Sequence, residues 1–167
     1  MIDIKLENFE RERLDEIFDA VTPFSLMETN EKYFLNGAIR YLKPKNILEV
    51  GIAHGGGSTI ILNAVKDIEG AKLTSVDYCE NLFNDENNKP TGYIVDEKFS
   101  YLKKDNCKVF CGGDISKFIE KLGENEKFDF LVLDTAHMHP WETLNFLCVL
   151  PFMNQDSWVV LHDISLP

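Results

Sequence analysis

The 167-residue sequence lacks the features that mark membrane-spanning, secreted or nucleic-acid-binding chains. No apolar run approaches the ~18 residues that a membrane span needs, and the first ten residues lack the apolar core of a signal peptide. Lys and Arg number 17 against 28 Asp and Glu, for a net charge of −11, and the basic residues are scattered. A phosphate backbone would require a basic face. We therefore expect a cytoplasmic protein with neither a nucleic-acid nor a membrane partner.

Cysteine is also scarce. The four cysteines form no C-x-x-C pair and have no histidine at a zinc-finger interval, so we expect reduced thiols. Cys107 and Cys111 flank a predicted strand, where burial is a commoner role than metal binding or redox chemistry. The hydrophobic content of 44% and the charged content of 27% are typical of a soluble globular protein, and the length suits a single domain spanning residues 1–167.

The most informative stretch runs from Asn46 to Ser58 and changes from a strand to a glycine turn to the start of a helix. Ile47, Leu48 and Val50 form a short apolar run, as in parallel strands buried on both faces. Glu49 interrupts this run and would need a hydrogen-bonding partner. Ser58 is placed to cap the helix predicted over residues 59–65. The glycines between them allow positive φ angles and close approach of a ligand to the backbone: Gly51, Gly55, Gly56 and Gly57.

The spacing of these glycines does not match the dinucleotide fingerprint G-x-G-x-x-G, because Ala53 occupies the second glycine position. It resembles instead motif I of the class I S-adenosylmethionine (SAM)-dependent methyltransferases. That resemblance implies a glycine turn under the methionine part of SAM and an acidic residue at the end of the second strand that holds the ribose hydroxyls. Asp77 fits this role, 26 residues after Gly51. The cofactor-binding residues implied around the turn are Glu49, Gly51, Ile52, Gly55, Gly57 and Ser58.

Two further elements follow from the resemblance. Tyr78, next to Asp77, is placed to touch the nucleoside, although a tyrosine after a strand more often packs half-buried. The run Gly112-Gly-Asp-Ile115 corresponds to the family element that borders the adenine, so Asp114 would receive the exocyclic amine and Ile115 would pack on the ring. The alternative is that Asp114 caps the helix predicted over residues 116–122.

Strands and helices alternate along the chain, which predicts an α/β fold with right-handed crossovers. We expect a Rossmann-like three-layer sandwich with a mostly parallel sheet of order 3-2-1-4-5. Residues 1–43 would form N-terminal helices and residues 44–167 the Rossmann-like core. Besides the helix at 59–65, helices are predicted over residues 8–21, from Asn30 to about 42, and over residues 93–104, 116–122 and 141–150. The later strands are predicted over residues 108–111, 128–134 and 158–161. An exposed loop is predicted at residues 78–92 and a turn at residues 154–156.

The family usually has seven strands, and only five are predicted here. We expect either a chain truncated at its C-terminus relative to that family or a minimal variant that completes its site as a homo-oligomer. The apolar residues 158–161 would form a sheet edge that the N-terminal helices or another subunit must cover.

The ends of the fourth and fifth predicted strands carry the residues suited to catalysis. Ligands of open α/β sheets bind beyond the carboxyl ends of the strands, where carboxylates can hold Mg²⁺. The run Leu133-Asp134-x-x-His137 and the pair His162-Asp163 resemble the metal-dependent O-methyltransferases of the macrolide-sugar and cephalosporin-tailoring type. In that group the residue matching Asp134 binds Mg²⁺, the histidine matching His137 acts as general base, and two acids occupy the positions of His162 and Asp163.

His162 stands where that group has an acid, and imidazole suits Mn²⁺, Fe²⁺ or Zn²⁺ better than Mg²⁺. For His137 the alternative is a loop histidine that bonds to the backbone. His54 would orient the glycine turn, and His139 would be structural or exposed.

The function predicted from these residues is SAM-dependent O-methylation of a small hydroxylated metabolite or sugar, with assistance from Mg²⁺ or Mn²⁺. Asp134 and His137 would be catalytic, and Asp134, His162 and Asp163 would hold the metal. Two alternatives stay open: a non-catalytic module that binds SAM or S-adenosylhomocysteine (SAH), and a nucleotide- or NAD-binding Rossmann enzyme.

Overall fold

The computed structural model describes residues 12–122, 126–135, 137–138 and 140–163. These residues form helices α1 Glu12–Val21, α2 Thr29–Leu42, α3 Gly56–Val65, α4 Tyr93–Glu97, α5 Ile115–Ile119 and α6 Trp141–Val149, and strands β1 Asn46–Val50, β2 Lys72–Val76, β3 Cys107–Phe110, β4 Phe128–Leu133 and β5 Met153–Leu161. Within this described part of the chain, no helix combines the length and apolarity required to cross a bilayer.

The five described strands form one sheet of order β3-β2-β1-β4-β5 in which every neighbouring pair is parallel. This confirms the predicted fold and strand order. β1 lies at the centre, between β2 and β4, so its glycine turn emerges between the ends of the two strands that carry Asp77 and Asp134. The order therefore brings the predicted cofactor and metal residues to one edge of the sheet.

Two apolar cores cover the two faces of the sheet. Successive residues of β1 point to opposite faces, so Ile47 joins the core under α1, α2 and α3, whereas Leu48 joins the core under α5 and α6. In β4, Phe130 and Leu131 divide in the same way. This alternation produces the three-layer sandwich expected from the apolar runs of these strands.

The predicted start of the last strand is wrong. β5 begins at Met153, so residues 154–156, predicted as a turn, lie within the strand. A register shift between Phe128 and Phe130 of β4 accommodates the polar start of β5 beside its partner. The polar side chains there are exposed at the sheet edge, where pairing of the backbone requires no apolar pattern.

The predicted helix over residues 93–104 is also interrupted. α4 ends at Glu97, and a 3₁₀ turn follows at Ser100–Leu102. Phe99 between them leaves the helical conformation, with φ −124° and ψ 23°, and buries its ring. Burial of this aromatic side chain outweighs the local helical pattern.

The buried face of α2 includes only part of the apolar stripe that helical spacing predicts for this helix. That stripe comprised Tyr33, Phe34, Gly37, Ala38, Tyr41 and Leu42. Gly37 and Ala38 are buried as predicted. Leu35 and Ile39, which the prediction left out, face the core beside them, and Tyr41 is 53% exposed. Tyr33 lies at the margin, where its ring stacks on Phe18 at 5.2 Å and its hydroxyl donates to Asp15. The polar hydroxyls keep the tyrosines at the solvent boundary.

The four cysteines are free thiols, as predicted. Cys107 and Cys111 are half-buried. Burial raises the pKa of both thiols to about 11. They are therefore protonated at neutral pH and unreactive as nucleophiles.

Gly51 determines how closely the turn after β1 approaches the end of β4. Its φ is +95°, and a Cβ placed on it would lie 1.6 Å from the carbonyl oxygen of Asp134. The Gly51 N–H donates to the carbonyl of Val76 at 2.8 Å, and the Asp134 N–H donates to the carbonyl of Val50 at 2.9 Å. Only glycine permits this approach between backbones.

Replacing Gly51 with alanine should therefore destabilise the fold far more than the same change at Gly70. Gly70 also has a positive φ, +74°, but a Cβ there would meet nothing within 4 Å. Both variants carry the left-handed strain of about 1–2 kcal/mol, and Gly51→Ala adds a backbone clash, so its free energy of unfolding should fall by a further ~2 kcal/mol or more. Urea denaturation of the two variants measures the difference, and equal losses would contradict the proposed packing.

Candidate active site

Asp77 anchors the glycine turn. Its Oδ2 accepts from the backbone N–H groups of Ile52 at 2.7 Å and Ala53 at 3.2 Å, and its Oδ1 accepts from Cys79 N at 2.9 Å. Ala53 adopts a left-handed conformation with φ +49°. The carboxylate therefore lies beside the turn, where the cofactor prediction placed it, and also holds the turn in shape. Its contact with a ribose stays a prediction.

Glu49 is buried beneath the same turn, with a relative exposure of 2%. Its Oε2 accepts from the hydroxyls of Ser58 at 2.5 Å and Ser75 at 2.6 Å, which supplies the partners that a buried carboxylate needs. Burial raises the pKa of Glu49 to about 7 despite these two hydrogen bonds. A Cβ at Gly57 would lie 2.8 Å from Oε1, so glycine at this position leaves room for the carboxylate.

The predicted capping role of Ser58 is wrong. The N-cap of α3 is Gly55, with φ +99°, and no side chain caps this helix. The Ser58 hydroxyl is directed at Glu49 because a buried carboxylate without a cation requires donors. The glycine turn itself, with its positive-φ glycines, thus starts the helix.

The segment after Asp77 packs back on the glycine turn. Gly92 N donates to the carbonyl of Ala53 at 2.8 Å, and the Thr91 hydroxyl donates to the carbonyl of Cys79 at 2.8 Å. Tyr78 is 75% exposed, so the half-buried packing considered for it is wrong, and its contact with a nucleoside stays a prediction. His54 lies in the turn with its ring 6.2 Å from that of Tyr93, consistent with a role in orienting the loop.

Asp114 is the N-cap of α5. Its Oδ1 accepts from the Ser116 hydroxyl at 2.6 Å and from Lys117 N at 3.2 Å. The Ser116 hydrogen bond and the Lys117 backbone N–H lower the pKa of Asp114. The capping alternative is thus confirmed, whereas contact of Asp114 or Ile115 with an adenine stays a prediction. The adjoining cavity, lined in part by Val76, has a volume of about 40 Å³.

A larger cavity, of about 480 Å³, lies at the opposite end of the sheet. Residues 65–72 and 104–106 line it, and these residues precede or begin β2 and β3. Ligands of parallel sheets bind beyond the carboxyl ends of the strands. We therefore place the candidate site at the other edge, despite the size of this cavity.

Five side chains converge beyond the ends of β4 and β5, and we call them the acid–histidine cluster: Glu31, Asp134, His137, His162 and Asp163. His162 Nδ1 lies 3.1 Å from Asp134 Oδ1 and 3.2 Å from Asp163 Oδ2, and its Nε2 lies 3.1 Å from Glu31 Oε2. His137 Nε2 lies 3.5 Å from Asp134 Oδ1 and 3.4 Å from Asp163 Oδ2. The structure thus brings together all four residues predicted for catalysis and metal binding.

The charges in this cluster influence one another. Burial raises the pKa of Asp134, and this effect outweighs the neighbouring His162 and His137, which act in the opposite direction. Burial alone would lower the pKa of His162, but Asp134, Glu31 and Asp163 together raise it above its usual value. Three acids around two imidazoles leave excess negative charge that a bound cation would offset.

Two members of the cluster adopt backbone conformations that are unusual for residues other than glycine. His137 has φ +53° and Asp163 has φ +54°. Such conformations cost of order 1 kcal/mol or more and concentrate at functional sites. In addition, Nδ1 of His137 is buried and has no hydrogen-bond partner within the described ranges. The carboxylates of Asp134 and Asp163 face the other ring nitrogen, Nε2, so the ring is held on one side only.

The donor set suits a divalent transition metal. Ligand atoms of Asp134, His137 and His162 lie within 4.8 Å of one another, as do those of Glu31, His162 and Asp163. Imidazole and carboxylate together favour Mn²⁺, Fe²⁺ or Zn²⁺. Sequence reasoning missed Glu31, whose first-turn position in α2 indicates only helix capping. His139 lies outside the described residues.

Comparison with known proteins identifies the family to which the chain belongs. The model of a family described as "Methyltransferase domain" matches residues 48–164, about 70% of the chain. The chain belongs to the methyltransferase domain family. This result confirms the resemblance to SAM-dependent methyltransferases. The narrower resemblance to enzymes of the macrolide-sugar and cephalosporin-tailoring type stays a prediction. No curated protein sequence matches the chain.

Solved structures share the fold of this methyltransferase domain at low sequence identity. An SAH-bound methyltransferase from Podospora anserina has a TM-score of 0.67 and 14% identity, with 92% of this chain and 63% of that chain covered. The O-methyltransferase TomG from Streptomyces achromogenes, involved in tomaymycin synthesis and in complex with SAM, has a TM-score of 0.66 and 16% identity, with 95% and 72% covered. An O-methyltransferase from Bacillus cereus in complex with SAH has a TM-score of 0.60 and 16% identity, with 87% and 63% covered.

The methyltransferase domain thus spans roughly two thirds of the length of these solved chains, from 63% to 72%. At these identities the likeness shows a shared fold, and it does not transfer substrates.

Replacing Glu49 with glutamine should remove one source of pH-dependent stability. The folded-state pKa of about 7 lies above the ordinary value of 4.5, so the folded protein binds this proton more tightly than the unfolded chain does. Stability from Glu49 is therefore fully present below pH 4.5 and is lost as the pH rises through 7, by at most about 3 kcal/mol.

Glutamine can still accept from Ser58 and Ser75 but does not titrate. Urea denaturation at pH 5 and pH 8 should show a larger loss of unfolding free energy for the wild type than for Glu49→Gln. The acid–histidine cluster contributes to the pH dependence of the unfolding free energy in both proteins, so its contribution cancels when the two are compared. Parallel pH profiles would show that Glu49 is ionised throughout.

Proposed function

We propose that this domain transfers a methyl group from SAM to a hydroxyl oxygen of a small molecule, a hydroxylated metabolite or a sugar, with help from a divalent metal. The observation that carries the proposal is the position of the acid–histidine cluster beside the glycine turn. Gly51 packs against the backbone of Asp134, so the predicted cofactor and metal residues lie next to each other at one sheet edge.

The glycine turn and Asp77 support SAM as the cofactor. Gly51, Gly55 and Gly57 keep side chains off the turn, and a carboxylate stands at the end of β2. Three structural relatives are described as complexes with SAM or SAH. SAM, when bound, supplies a methyl group already activated on a sulfonium. The protein therefore has to align an acceptor oxygen in line with that group and accept its proton.

Asp134, His162 and Asp163 are the residues proposed to hold the metal, with Mn²⁺ favoured over Mg²⁺ by the imidazole of His162. A divalent ion, when bound, lowers the pKa of a coordinated hydroxyl. His137 is proposed as the general base that accepts the hydroxyl proton as the methyl–oxygen bond forms and the methyl–sulfur bond breaks, which releases SAH. Two carboxylates, 3.5 and 3.4 Å from His137 Nε2, would stabilise the imidazolium that results.

Two experiments test the proposal. The first is isothermal titration calorimetry with SAM and with SAH. The second measures methyl transfer to a panel of hydroxylated metabolites in the presence and absence of EDTA. Binding with EDTA-sensitive transfer supports it. SAM binding without turnover on any acceptor would favour the non-catalytic module. Binding of NAD without binding of SAM would favour a dinucleotide enzyme and would contradict the cofactor assignment.

Substitutions at Asp134 and Asp77 should separate chemistry from cofactor binding. Asp134→Asn removes a proposed metal ligand, so turnover should fall by ~100-fold or more while SAH affinity changes by less than about threefold. Asp77→Asn keeps an oxygen for the amides of Ile52 and Ala53 but loses the charge, so SAH affinity should fall about tenfold. Calorimetry and initial rates measure both effects. Undiminished turnover in Asp134→Asn would refute the metal proposal.

We also propose that the domain assembles as a homo-oligomer. In the described part of the chain, α6 and β5 carry large apolar side chains that are at least one-third exposed: Trp141, Leu144, Leu147, Trp158, Val159 and Leu161. Exposed apolar surface of this kind favours association. Light scattering should therefore give a mass above the 19.2 kDa of one chain, and Leu147→Lys should shift the protein toward monomer. A monomeric wild type at high concentration would contradict the proposal.

A further inference from the structure

Glu31 links the N-terminal helices to the acid–histidine cluster. It lies at the third position of α2, where its Oε2 accepts from the backbone N–H of Glu28 at 2.6 Å. The Glu28 side chain in turn accepts from the backbone N–H of Glu31, which completes a capping box. The same Oε2 lies 3.1 Å from Nε2 of His162. The position of Glu31 is thus set by α2, 131 residues before the histidine that it contacts.

The two ring nitrogens of His162 face different partners. Nε2 faces Glu31, whereas Nδ1 faces Asp134 and Asp163 at 3.1 and 3.2 Å. The side chain is only 7% exposed, so water competes little for either nitrogen. A neutral imidazole has one N–H, and a metal ligand must keep its coordinating nitrogen unprotonated. A metal shared with Asp134 and Asp163 therefore requires the proton on Nε2, where Glu31 is the acceptor.

We propose that Glu31 is a positioning residue: it accepts the Nε2–H of His162 and so directs Nδ1 toward a divalent ion held with Asp134 and Asp163. Carboxylates that hydrogen-bond the second nitrogen of a ligating histidine set both its tautomer and its ring orientation. This inference rests on the divalent-metal part of the proposed function. It gives α2, which precedes the first strand of the sheet, a specific role at the site.

A purely structural role for Glu31, as half of the capping box, makes a different prediction. Glu28 is the matched control, because it is the other half of the same capping box and its side chain accepts from Glu31 N. Loss of either side chain should weaken the start of α2 by a similar amount. Only loss of Glu31 should affect His162.

Calorimetric titration of the metal-free protein with Mn²⁺, in the absence of SAM, measures the effect directly. Glu31→Ala should weaken Mn²⁺ binding by about 10- to 100-fold, the usual effect of removing such a carboxylate. Glu28→Ala should change it by no more than about twofold. Glu31→Gln should be intermediate, since the amide oxygen still accepts the N–H and completes the capping box but lacks the charge.

A spectroscopic readout distinguishes orientation of the ring from general loosening of the site. In the Zn²⁺-loaded wild type, ¹⁵N spectra should show His162 with a protonated Nε2 and a metal-bound Nδ1, assigned by comparison with His162→Gln. Glu31→Ala should lose this single form, while Glu28→Ala should retain it.

Each outcome bears on the inference. Equal Mn²⁺ affinity in wild type and Glu31→Ala would overturn it and leave the metal proposal intact. Equal losses in Glu31→Ala and Glu28→Ala would assign Glu31 to helix capping alone and would also overturn it. Failure of the wild type to bind either Mn²⁺ or Zn²⁺ would overturn both this inference and the metal part of the proposed function.

Discussion

The close approach of Gly51 to the carbonyl of Asp134 sets the geometry of the candidate site. The two residues follow neighbouring parallel strands, and the space between them has no room for a side chain. The turn after β1 therefore lies against the end of β4. On its other side, the amides of Ile52 and Ala53 are held by Asp77, which follows β2. The proposed cofactor turn thus spans three strand ends, and its shape depends on both neighbours.

Carboxylates dominate this edge of the sheet, and the protein handles each one differently. Burial raises the pKa of Glu49 to about 7, although hydrogen bonds from two serine hydroxyls act in the opposite direction. Asp77 accepts three backbone N–H groups. Asp134 and Asp163 face imidazoles across gaps of 3.1 to 3.5 Å. A cationic sulfonium and a divalent metal are ligands whose charge would complement such a site.

Much of this arrangement follows from local patterns. Apolar runs followed by glycine or an acid predict buried parallel strands, and their alternation with helices predicts a parallel α/β sheet. The order 3-2-1-4-5 was expected from the resemblance to the class I methyltransferases. Because strand ends in such a sheet share an edge, the convergence of Asp134, His137, His162 and Asp163 was also predictable. The prediction of helix-capping residues was wrong where the same local sequence pattern fits two roles. Both Ser58 and Asp114 precede or begin helices, but only Asp114 caps one, because Ser58 is drawn to the buried carboxylate of Glu49.

The contribution of α2 could not be predicted. Helical spacing predicted part of its buried face, including Gly37 and Ala38, but it does not distinguish a tyrosine at the solvent boundary, such as Tyr41, from a core residue. Glu31 looked like an ordinary first-turn acid, and nothing in the spacing of residues 31 and 162 indicates that they meet.

The amino-acid sequence by itself determined the parallel α/β architecture, the glycine turn and the placement of acids at strand ends, because these depend on short-range periodicity and on the rule that parallel strands end at the same edge. Only the tertiary structure decided which hydroxyls satisfy Glu49, that Asp77 holds the turn, and that Glu31 reaches His162. These contacts join residues 9 to 131 positions apart, and packing of the helices against the sheet selects them.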